Sequence, residues 1–201
     1  MKIDRWLMLA TVLVAASACS PAKPAAPAEP VLVATATIKD IMDSMVDPSA
    51  DYLFESVAQI ADEQGIRQKA PQTNDEWKEA RRSAIRLLEA PNLLIMPGRK
   101  AARPGEKSEN PEVELQPEQI QVLIDADRVQ FVTRAQTLQK AAQATLAAVD
   151  AKDANALFAA AGLLDKACEN CHLHYWYPND KRSQEAAQER ERLTSGGSLR
   201  R

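Results

Sequence analysis

Residues 117–149 read PEQIQVLIDADRVQFVTRAQTLQKAAQATLAAV. Ile120, Leu123, Ile124, Phe131, Leu138, Ala142, Leu146 and Val149 recur at spacings of one, three, four and seven. That period belongs to one face of a long amphipathic helix. A further helix is expected from near Asp153, capped by Asp150, through Phe158, Leu164, Cys168 and Tyr175. Pro178 should stop it within a turn. Upstream, Thr37 caps a first helix in which Ile38, Ile41, Met42 and Met45 share a face. The pair Asp47-Pro48 should kink or restart it. Leu53, Val57 and Ile60 continue its stripe, and Gly65 is the expected stop. A second helix follows Thr73, with Glu76 placed for a capping box and Trp77, Ala80, Ala84, Leu87 and Leu88 as its buried stripe. Pro91 and Pro97-Gly98 break up its end. Four amphipathic helices with a short third-to-fourth turn predict an all-α fold, an antiparallel four-helix bundle over residues 36–178.

Composition agrees with the helical reading. The chain has 201 residues, 45% hydrophobic and 26% charged, with six glycines and 4% aromatics. β-branched runs are scarce, which argues against a sandwich or barrel. Net charge is −3, so the basic footprint of a nucleic-acid binder is missing. Residues 98–117 hold three prolines, two glycines and many charges with little apolar periodicity, and read as a long exposed connection. Residues 179–201 read as a charged tail.

The amino terminus has the form of an export signal. Lys2 and Arg5 precede an apolar run from Trp6 to Ala18 that is too short to span a bilayer. Residues 1–18 are expected to be removed, which leaves a net charge of −4. The run ends Ala16-Ser17-Ala18-Cys19 and resembles a bacterial lipoprotein signal, in which the cysteine after the cut carries lipid. Such signals usually have leucine where Ala16 stands. The resemblance implies a lipidated Cys19 and a periplasmic chain anchored to the membrane. Prolines at 21, 24, 27 and 30 match the polyproline II period, so residues 19–35 read as a semi-rigid spacer.

The chemistry sits at Cys168-Glu169-Asn170-Cys171-His172, the attachment sequence C-x-x-C-H of a c-type haem. On a helix these three residues share a face. Two thiols at i and i+3 can form thioethers with the haem vinyl groups, and His172 presents an imidazole to the iron. An export route fits, because c-type haem is attached after export. The competing readings are weaker. A thioredoxin-type dithiol needs a βαβ context. A zinc site on Cys168, Cys171, His172 and His174 lacks the usual distant second ligand pair. A Cys168–Cys171 disulfide in a non-haem interaction module has no need of the histidine. No hydrolase triad or phosphate loop is present.

A haem motif on the last helix, after three predicted helices, resembles the class II cytochromes c, the family of cytochrome c prime and the c556-type proteins. The resemblance covers roughly residues 36–178. It implies an electron-transfer protein, not an enzyme, carrying one covalent haem c and exchanging electrons with periplasmic redox partner proteins. A homodimer is a further expectation. In the c556-type branch a methionine of the first helix ligates the iron, which makes Met42 the candidate, Met45 the runner-up and Met96 a poorer choice. In the cytochrome c prime branch that place is apolar, and the five-coordinate iron binds NO or CO. The arginine the family commonly carries before the methionine is absent, with Lys39 in its neighbourhood. No propionate contact is assigned to Arg81, Arg82 or Arg128, because charge runs such as Glu79 to Arg82 usually form solvated faces. His174, Tyr175, Trp176 and Tyr177 are read as rim or packing residues.

Overall fold

A computed structural model describes residues 32–63 and 65–196. The expected signal, Cys19 and the proline spacer up to residue 31 lie outside the described residues.

The chain enters through α1 (Ile38–Ile41), whose N-cap Thr37 forms a reciprocal capping box with Asp40. A π-helical turn follows at Met42–Val46 and leads without interruption into α2 (Asp47–Ser56). The Asp47 amide donates to the Met42 carbonyl, five residues back. Pro48 is the reason for the wider turn. Proline lacks the donor for the carbonyl four residues earlier, and its ring collides with that carbonyl in a regular helix. One π turn relieves the collision and keeps the helix running. The expected kink at Asp47-Pro48 is thus a change of helix type.

The first helix does not reach Gly65. It ends at Ser56, and an antiparallel hairpin follows, β1 (Ala58–Asp62) and β2 (Gly65–Lys69), with Ala58 paired to Lys69. Gly65 has a φ of 114°, which only glycine adopts easily, so it shapes the hairpin turn. α3 (Asn74–Leu94) starts on the expected Thr73–Glu76 capping box. It runs through Pro91 and ends only at Leu94.

The predicted third helix divides. α4 (Pro117–Ala126) and α5 (Arg128–Asp150) are separated at Asp127, whose φ of −137° and ψ of 72° leave the helical region. The Asp127 carboxylate then caps α5 by accepting from Gln130 N. α6 (Ala154–Tyr175) is capped by Asp153, which accepts from Asn155 and Ala156, so Asp150 is not the cap. α7 (Lys181–Gly196) occupies the charged tail and touches α6.

The antiparallel four-helix bundle is therefore corrected. The chain is all-α apart from one small hairpin, and six α-helices, α1 to α6, form its compact core. Periodicity alone could not show the divisions, because an apolar stripe continues across a π turn or a capped break. α3 packs along α5, α5 along α6, and α2 against α3. Ile38, Leu53, Leu87, Ile124, Leu157, Leu164 and Tyr175 are fully buried between them.

Residues 98–117 are not a loose connection. Lys100 O and Ala101 O accept from the Ile38 and Lys39 amides at 2.8 and 2.9 Å, so the segment closes the start of α1. Buried Arg99 donates to Leu93 O and Ala36 O. Leu115 N donates to Trp176 O at 2.7 Å, which ties the same segment to the end of α6. Arg99 is spent on backbone carbonyls, while Arg103 pairs with Asp40 and Glu109 with Lys39, a pattern that charge content cannot reveal.

Leu157 is fully buried and Leu163 is 53% exposed on the same helix. Leu157→Ala should lower unfolding free energy by about 2–5 kcal/mol in urea titration. Leu163→Ala should change it by no more than about 0.5 kcal/mol.

Candidate functional site

The last turns of α6 carry Cys168, Cys171 and His172 on one side of the helix. Both cysteines are free thiols, half-buried and packed against the core. Burial pushes Cys168 up to about 12 and Cys171 up to about 11, so both stay protonated at neutral pH. Arg134, whose Nη1 donates to Asn170 O at 2.7 Å, pulls the Cys171 value slightly back.

His172 is half-buried, and loss of hydration holds its imidazole below the usual value. Asp47, Glu169 and Glu114 oppose that shift with their charge. Burial raises the Asp47 carboxyl in turn. Burial thus favours the neutral imidazole, the form that can donate a lone pair to a metal.

Two cavities meet at this histidine. One, of about 440 Å³, is lined by Met42, Val46, Ala50, Phe54, Asp47, Asp51, Asp165 and Glu169 together with Cys168, Cys171 and His172. The other, of about 180 Å³, is lined by Lys39, Met42, Asp43, Asp47, Lys107, Glu109, Glu114, Leu115 and Ile120 with His172, Trp176 and Tyr177. Met42, Asp47 and His172 belong to both. From α2 the larger space takes Ala50 and Phe54 but also the carboxylates of Asp47 and Asp51, and two thiols bound it on its α6 side. Two thiols beside an imidazole fit a group fixed at one edge, which is what a haem attached through Cys168 and Cys171 requires.

The back of His172 is enclosed. Its carbonyl accepts from Trp176 N at 2.8 Å and Tyr177 N at 3.0 Å, which folds the chain back at the helix end. The Trp176 and Tyr177 rings lie 6.0 and 5.7 Å from the imidazole, centroid to centroid. Tyr177 Oη donates to Glu169 Oε2 at 2.7 Å.

The structure separates the methionine candidates. Met42, first residue of the π turn, faces both cavities, whereas Met45 packs against the core and lines neither. Met96 receives an Arg99 N–H on its sulfur at 3.1 Å. His174 is exposed, with Tyr175 edge-on at 4.6 Å. Arg81 pairs with Asp150, Arg82 with Glu79, and Arg128 donates to Ile95 O, so none of the three arginines lines either cavity. The cations that do are Lys39, which pairs with Glu109 at 2.6 Å and Asp43 at 3.3 Å, and Lys107. Asp47, Lys107, Glu114 and Leu115 were missed by sequence reasoning. Asp47 was visible only as a partner of Pro48, and the other three sit in the segment read as solvent-exposed.

The expectation of a metal-binding chain is corrected as far as protein ligands go. Among the described residues no group of three or more His, Cys, Asp or Glu side chains is arranged to hold an ion, so the four-ligand zinc set does not form. A haem iron is held by its porphyrin and needs only axial ligands from the chain. The membrane-anchored reading finds no support in the described residues: none of their helices is long and apolar enough to cross a membrane, and Cys19 lies outside them. No family model, curated protein or solved structure matches this chain. The class II resemblance therefore stands on C-x-x-C-H and its position alone.

The depressed His172 value has a consequence for stability in the haem-free protein. Between that value and the ordinary 6.5, the unfolded chain binds more protons at this site than the folded one. Its contribution is complete above about 6.5 and is lost as pH falls. Urea midpoints of the haem-free protein should therefore fall between pH 7 and 5. His172→Gln should flatten part of that slope, leaving the share of His174, which is depressed in the same direction. An unchanged slope in His172→Gln would contradict the burial argument.

Proposed function

We propose that this protein is an exported c-type cytochrome. It carries one covalent haem on Cys168 and Cys171 and passes single electrons to and from periplasmic redox proteins. The observation that carries the reading is the set of two free thiols and an imidazole on one side of α6, opening on a cavity whose facing wall includes Met42. The haem supplies the Fe(III)/Fe(II) couple.

The chain's own residues do the rest. Cys168 and Cys171 fix one edge by thioether bonds. His172, favoured as neutral by burial, offers the proximal nitrogen. Met42 offers a thioether sulfur from the α2 side of the same cavity. Val46, Ala50 and Phe54 exclude water from that wall.

The test is expression in a host that attaches c-type haem, followed by acid-acetone extraction. Haem should stay with the wild-type polypeptide and be lost from a Cys168→Ala, Cys171→Ala double variant. Release of all haem from the wild type overturns the assignment. Met42→Ala should convert a low-spin ferric spectrum to a high-spin one, while Met45→Ala leaves it low-spin. A wild type that is high-spin and binds CO rapidly replaces the electron carrier with a five-coordinate gas-binding protein.

A further inference from the structure

Among the described residues the His172 ring takes part in no hydrogen bond, and its contacts are the Trp176 and Tyr177 rings. An axial imidazole is normally oriented by such a bond to its second nitrogen. Here other groups occupy its surroundings. Trp176 and Tyr177 are brought against the ring because their two amides share the His172 carbonyl. The Tyr177 hydroxyl also donates to Glu169 Oε2 at 2.7 Å, eight residues back on α6. Glu169 also lines the larger cavity beside His172 and both thiols. The result is a brace: carboxylate, phenol and imidazole held in sequence across the helix end.

We propose that Tyr177, clamped by Glu169, is a positioning residue that orients the His172 imidazole and holds the Glu169 charge beside it. The inference rests on the haem reading above and adds to it. An imidazole held by a neighbouring ring keeps one plane relative to the haem. A carboxylate near the site stabilises ferric over ferrous iron, because the oxidised centre carries one more positive charge. Glu169 therefore acts on potential, and Tyr177 acts on geometry and, through its hold on Glu169, more weakly on potential.

Three variants divide these effects. Glu169→Gln keeps an acceptor oxygen for the Tyr177 hydroxyl and removes only the charge. Its midpoint potential should rise, with the ferric electron paramagnetic resonance spectrum unchanged. Tyr177→Phe keeps the ring and releases the clamp. It should broaden that spectrum and raise the potential by a smaller amount. Tyr177→Leu removes the ring and should broaden it further. All three should retain the wild-type level of covalent haem, and equal thermal midpoints exclude a general loosening of the fold.

Wild-type potentials and spectra in all three haem-loaded variants overturn the positioning role while leaving the haem assignment standing. A wild type without covalent haem overturns the haem assignment instead. In that case nuclear Overhauser contacts between the His172 and Tyr177 rings of the haem-free protein still test the brace. They should weaken in Tyr177→Phe, and contacts equal to the wild type reject it.

Discussion

Pro48 stands inside a helix that must remain continuous. Without its donor, and with its ring directed at a carbonyl, Pro48 strains a regular α-helix there. The chain answers with the wide turn at Met42–Val46, and α1 and α2 stay on one path. The wider turn also alters the angle between positions three apart. Met42 faces the imidazole cavities and Met45 does not. A backbone constraint thereby selects which of two similar side chains meets His172, and π turns recur at functional positions for this kind of reason.

The segment after α3 completes the same site from the other side. Its carbonyls at 100 and 101 take the first free amides of α1, groups that every helix start leaves without partners. Its Leu115 amide takes a carbonyl at the end of α6. One irregular stretch thus joins the helix that carries Met42 to the helix that carries the thiols. It also brings Lys107, Glu109 and Glu114 to the smaller cavity, where they sit with Lys39 and Asp43. The resulting wall is of mixed charge, in contrast to the larger cavity, whose charged lining is wholly carboxylate apart from the imidazole.

Burial sets the chemistry of the three central groups in one direction. It disfavours charge on both thiols and on the imidazole alike. Protonated thiols are slow nucleophiles, so these cysteines are poorly suited to be exchange-active redox groups in their own right. Tyr175, three positions beyond His172, is fully buried and stands edge-on to Phe131 at 5.5 Å, and its hydroxyl has no hydrogen-bond partner among the described residues.

Much of the local structure was legible in the residues. The caps at Thr37 and Thr73, the end of α6 before Pro178, and the shared face of Cys168, Cys171 and His172 all follow from short-range rules of spacing and hydrogen bonding. These depend on neighbours within a turn, which the sequence displays directly. The π turn, the break at Asp127 and the hairpin after Ser56 were not legible, because an apolar stripe with period near 3.6 does not register one inserted residue or one capped interruption. The end at Leu94 escaped too, since Pro91 lacks only one donor and the helix closes around it. The sequence by itself therefore determined a helical chain with a C-x-x-C-H run, Cys168 to His172, on its last core helix. Only the tertiary structure decided that Met42, and not Met45, faces His172, and that a charged connection closes the site, because both depend on hydrogen bonds and packing between residues far apart in the chain.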